Sequence, residues 1–91
     1  MSEDEIQRQW MLEIGRRLRD GATTVRLKDV MDATGVSGPS PSDRTRLWKE
    51  VWHHVEAMGL VVQVHHSSRE PTLVDRVTLT DFGSDPASWD D

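Results

Sequence analysis

The stretch Pro41 to Gly59 limits this chain more than any other, because it carries the signals that start a helix and the signal that stops one. Ser40 is an N-cap residue, Pro41 suits the first helical position, and Asp43 stands where a capping-box acid reaches back. Gly59 suits a left-handed C-cap, with Leu60 placed to fold back on Val55. A helix over 41–58 is about 27 Å long at about 1.5 Å per residue. One side gathers Leu47, Trp48, Val51, Val55 and Met58, with Trp52 and His54 at its margins. The other side shows Thr45, Arg46, Lys49, Glu50, His53 and Glu56. The first side fits a core, so function turns on what the second side touches.

Ninety-one residues make one domain with a small core, in which four tryptophans carry unusual weight. The chain has no cysteine, which removes disulfides and thiolate metal sites and suits a cytoplasmic setting. No apolar run approaches a membrane span of about 18 residues, and the acidic N-terminus is no signal peptide. The net charge of −5 argues against nucleic acid, but its distribution softens that objection. Residues 81–91 hold four acids and no Lys or Arg, whereas residues 23–60 hold five of each sign. The body is therefore near neutral, which permits a local basic surface.

Ser2-Glu3-Asp4-Glu5 is a capping box with acids in the first turn, and a helix should run from about Glu3 to Arg19. Ile6, Trp10, Met11, Ile14 and Leu18 form its apolar stripe. Leu12 falls outside the stripe among Arg8, Arg16 and Arg19, and is expected to be exposed. Thr23 to Arg26 is β-prone. Leu27 to Val36 reads as a two-turn helix ended by Gly35, with Leu27, Val30, Met31 and Ala33 inward. Ser37 to Ser40 is a turn by composition. After Gly59 the period falls to two. Leu60–His66 and Leu73–Thr80 form a hairpin around the polar loop Ser67–Thr72, with Val77 and Leu79 toward the core. From Asp81 the chain is expected to fray, so residues 1–83 form the domain and 84–91 an acidic, flexible tail. Trp89, in Ser-Trp-Asp-Asp, is the tail's one large apolar group; the alternative is that it packs on a partner or on the chain's own basic helix.

Three local phrases stand in order: Val25-Arg26-Leu27-Lys28-Asp29-Val30 into Ala33-Thr34-Gly35-Val36, then Glu56 to Val61, then Val77-Thr78-Leu79-Thr80-Asp81-Phe82-Gly83. With the order helix, short strand, helix, turn, long helix, hairpin, the chain resembles the winged helix-turn-helix family over about Glu3 to Gly83. The resemblance implies a small α+β fold, three helices with a C-terminal two-stranded β-hairpin wing. It implies a DNA-binding transcription regulator that inserts the helix around 41–58 in the major groove of double-stranded DNA. Carried over position by position, the groove-facing residues are Ser42, Thr45, Arg46, Lys49 and His53. Arg46 suits bidentate pairing with guanine. Arg69 is the one basic residue of the wing loop, and Lys28 lies where the preceding helix meets the backbone. One such domain offers few phosphate contacts, so a dimer is expected, with the N-terminal helix and Leu12 as its surface. Glu50, Glu56 and the acidic tail suit a rival, a winged-helix protein-interaction module or nucleic-acid mimic.

Other chemistry finds little support. His53-His54 and His65-His66 are adjacent pairs whose members point apart on a helix or a strand, so at most one of each converges on a metal, with a carboxylate needed to help. The chain has no nucleophile elbow and no phosphate-binding loop. No enzyme activity, metal or cofactor is expected. Trp10, Trp48 and Trp52 are expected in the core.

Overall fold

The long helix forms as its caps dictate. In a computed structural model, which describes residues 2–89, the helices are α1 (Glu3–Arg19), α2 (Leu27–Thr34) and α3 (Pro41–Ala57). Ser40 Oγ accepts from the Asp43 amide, and the Asp43 carboxylate accepts from the Ser40 hydroxyl at 2.9 Å. At the far end Gly59 takes φ 75°, its N–H bonds to the Glu56 carbonyl, and the Leu60 N–H bonds to the Val55 carbonyl. That is the Schellman pair, with Leu60 and Val55 both buried. Ser2 caps α1 in the same way through the Glu5 amide.

The strands are β1 (Val25–Arg26), β2 (Val61–Val62), β3 (His65–His66), β4 (Leu73–Asp75) and β5 (Thr78–Leu79). They pair antiparallel as one sheet of order β1-β4-β3 and one pair β2-β5. The protein is thus a small α+β domain of three helices and a few short antiparallel strands. The expected hairpin is present, but each arm breaks in the middle. Gln63 and Arg76 both sit at φ 55°, between β2 and β3 and between β4 and β5. This break shifts the side-chain phase. Val74 and Val77, three residues apart, are both buried, whereas an unbroken strand buries every second residue. Val77 points inward as expected and Leu79 packs at the core's edge, but the core also takes Val74.

Three tryptophans build the centre. Trp10 and Trp48 meet edge to face at 6.1 Å, Trp48 and Trp52 at 5.7 Å, and all three are fully buried. The Trp10 indole N–H donates to the Val36 carbonyl at 2.9 Å, tying α1 to the segment after α2. Burying about 200 Å² of indole at about 25 cal/mol/Å² makes each ring worth on the order of 5 kcal/mol before entropy is counted.

Three expectations need correction here. Residues 84–89 do not fray. Pro86–Trp89 forms a 3₁₀ turn whose Trp89 is buried against α1, with its indole N–H on the Gly83 carbonyl at 2.6 Å. Gly15 makes the seat, since a Cβ there would lie 2.6 Å from Trp89 Cδ2. The acids Asp90 and Asp91 lie outside the described residues. Leu12 is half-buried, not exposed. Ala33 is exposed, because α2 is short and only Leu27 and Val30 are buried in it. His54, expected at the core's margin, is exposed on α3, where it lines a surface depression beside the core residues Met11 and Val51.

The base of the hairpin has its own lock. The Thr80 hydroxyl donates to the Gly59 carbonyl at 2.6 Å and accepts from the Gly83 amide at 2.9 Å. Gly83 is required by close approach, as a Cβ there would fall 1.9 Å from the Leu60 carbonyl oxygen.

Candidate nucleic-acid interface

The exposed part of α3 divides into two columns. Residues four apart stack along a helix, so Thr45, Lys49 and His53 form one column, and Arg46 and Glu50 form the next, about 100° around. The columns face different neighbours.

The Arg46 column faces α1. The Arg46 guanidinium reaches Glu3 at 2.6 Å, Asp43 at 3.2 Å and Glu50 at 3.3 Å. Gln7 of α1 donates to Glu50 at 3.0 Å. The hydrogen bonds that Arg46 donates to Glu3 first, and then to Asp43, raise its guanidinium above its ordinary value. The Ser40 hydroxyl, and then Arg46, hold the Asp43 carboxyl below its own. A guanidinium shared among three carboxylates must leave some of those contacts before it can meet a base edge. In this structure Arg46, the residue expected to read guanine, is 44% exposed in its side chain and joins the N-terminal turn of α1 to α3.

The Thr45 column faces the hairpin. Lys49, His53 and Glu56 line one wall of an open groove of about 410 Å³, and Val64, His66 and Ser67 line the other. His66 Nε2 lies 3.5 Å from Glu56 Oε1, the one polar bridge across that groove among the described residues. The loop is shaped by Ser67 Oγ, which accepts from the amides of Arg69 and Glu70. Arg69 is exposed in that loop. On the hairpin itself, His65 Nδ1 and Asp75 Oδ1 are 2.6 Å apart.

A second depression of about 240 Å³ lies at the front of α3, lined by Lys28, Arg44, Thr45 and Thr72 among others. The Thr45 hydroxyl donates to the Pro41 carbonyl at 3.2 Å. Ser42 is exposed on the first turn of α3, and its hydroxyl lies 3.4 Å from that of Ser40.

The seven residues expected at the interface thus separate. Lys28 and Thr45 share the front depression, and Lys49 and His53 share the groove. Ser42 is exposed on the first turn of α3 and Arg69 in the loop, neither lining either depression, and Arg46 bonds to α1. Sequence reasoning missed Arg44, His66 and Ser67. Arg44 falls four residues before Trp48, on the edge of the apolar stripe, so its charge is hidden in the helical pattern. An arginine on a buried edge needs a backbone acceptor, and Gly38, in the turn before α3, supplies it at 3.1 Å.

Among the described residues no group of three or more His, Asp or Glu side chains is placed to hold a metal ion, and no helix is long and apolar enough to cross a membrane. Comparison with protein-family models, curated proteins and solved structures gives no match to this chain.

Proposed function

We propose that the chain is a winged helix-turn-helix domain and that it binds double-stranded DNA with α3 in the major groove and the 67–72 loop on the neighbouring backbone. The fold part of the reading is supported by the strand order β1-β4-β3, in which the strand between α1 and α2 joins the hairpin that follows α3. The observation that carries the function is the groove itself. The Thr45, Lys49 and His53 column of α3 and the hairpin loop open onto one side of the molecule, with Lys28 beside them. A helix flanked by a loop on that side is the shape that a major groove about 12 Å wide accepts.

The contact set is small. Lys28, Lys49 and Arg69 offer about three phosphate contacts, so the affinity of one copy is weak and its salt dependence modest, with a slope near −0.9 per phosphate. A second copy on a second half-site supplies the rest. The test is a titration of fluorescently labelled duplex DNA followed by anisotropy at low and moderate salt. Binding should weaken with salt, and Lys49→Glu should abolish it. Salt-independent binding, or full binding by Lys49→Glu, would remove α3 from the interface.

One observation favours a second reading, a regulator that binds a protein partner. Phe82 is 55% exposed and Val62 48%, while Glu50 and Glu56 keep acids on α3. A partner captured through Phe82 would leave the titration blank and would be lost in Phe82→Ser.

A further inference from the structure

The cations of this molecule fall into two sets. Arg16 and Arg17 share Glu13, Arg26 leans on Glu70, and Arg46 is ringed by three carboxylates. Among the described residues, Arg19, Lys28, Arg44, Lys49, Arg69 and Arg76 form no ion pair with a carboxylate. Four of them, Lys28, Arg44, Lys49 and Arg69, belong to α2, α3 or the hairpin loop, whose residues line the two depressions; Arg19 lies on α1 and Arg76 between β4 and β5.

Arg44 is the most ordered of those four. It is half-buried, and its Nε–H donates to the Gly38 carbonyl at 3.1 Å. That bond uses one of the five guanidinium N–H groups and leaves the charge uncompensated. The side chain lines the front depression together with Lys28. A cation fixed by one neutral acceptor loses little entropy when an anion arrives. Arg46 would have to leave Glu3, Asp43 and Glu50 first.

We propose that Arg44, and not Arg46, is the arginine of α3 that holds nucleic acid, and that with Lys28 it forms a seat for a backbone phosphate at the front of the helix. This rests on the DNA-binding reading above and deepens it. A phosphate seat fixes position and register and carries no sequence information of its own. Base discrimination is then left to Thr45 and His53.

The test is the salt dependence of binding to labelled duplex DNA, measured for the full chain and for Arg44→Gln, Arg44→Lys and Arg46→Gln. Losing one phosphate contact lowers the slope of log affinity against log salt by about 0.9. Arg44→Gln should show that loss, Arg44→Lys should keep the original slope, and Arg46→Gln should leave it unchanged. If the glutamine variant fails to fold, Arg44→Lys against Arg46→Gln still decides, because an altered slope in the latter alone overturns the proposal. Weaker binding with an unaltered slope in both Arg44 variants would make Arg44 a structural residue only and overturn the seat while leaving the DNA reading intact. No binding by the unmodified chain at low salt would overturn the DNA reading, and the seat with it.

Discussion

Gly15 and Trp89 are a matched pair, and neither makes sense alone. A glycine inside an exposed helix costs roughly 1 kcal/mol against alanine. Here it lets an indole lie flat against α1, where Trp89 is 1% exposed. Gly15→Ala should therefore destabilise the protein by about 1–3 kcal/mol, the cost of overpacking, although helix propensity alone predicts a gain. Trp89→Ala should cost about 3 kcal/mol or more. Chemical denaturation followed by the far-ultraviolet circular dichroism of the helices measures both. A more stable Gly15→Ala would mean that residues 84–89 do not sit on α1.

The surface carboxylates set how stability responds to acid. Glu13 is lowered from its ordinary 4.5 chiefly by its hydrogen bond from Arg16, with Arg17 adding to it, and Asp43 is lowered from 3.8 by Ser40 and Arg46. A carboxyl whose folded value is depressed stabilises the fold above its unfolded value and loses that contribution as pH falls through the folded one. Melting temperatures should therefore hold from neutral pH to about 5 and fall below about 4.5, in the range where free carboxylates titrate. Glu13→Gln should flatten that fall. An unchanged melting temperature down to pH 3 would mean that these ion pairs contribute nothing.

At the scale of elements, what was legible in the sequence is what is fixed within a few residues. Helices α1 and α3 begin and end where Ser2, Ser40 and Gly59 put them, because a cap is a local hydrogen bond. The Thr45, Lys49 and His53 column was legible for the same reason, since a period of 3.6 places it. The hairpin phase was not, because the breaks fall at Gln63 and Arg76, residues with no turn signature. Nor was the fate of Arg46, whose closest acid, Glu3, is 43 positions away. The tail was misread for a third reason: Gly15 within α1 carries no sign of what will lie on it. The breaks give a prediction of their own. A left-handed non-glycine residue costs about 1–2 kcal/mol, and glycine gives back about 0.5–1 kcal/mol in the unfolded chain. Arg76→Gly should thus be neutral or stabilising by up to about 1 kcal/mol, whereas Arg76→Val should destabilise by more than 1 kcal/mol. The reverse order would place Arg76 outside the left-handed region.

Across the whole molecule, charge is sorted by neighbour and not by total. The net −5 includes four acids after residue 80, and Arg16 and Arg17 of α1 share the carboxylate of Glu13. Four cations with no ion pair, Lys28, Arg44, Lys49 and Arg69, lie on α2, α3 and the hairpin loop. A chain with an acidic balance can therefore offer nucleic acid one near-neutral to basic side. The measurement that tests this most directly is the amide spectrum of isotopically labelled protein, recorded as duplex DNA is added. The account predicts that shifts concentrate at Lys28, Arg44, Thr45, Lys49, His53 and residues 67–70, while α1 and residues 84–89 stay still. Shifts centred on α1 or on Phe82, or no shift at low salt, would contradict it.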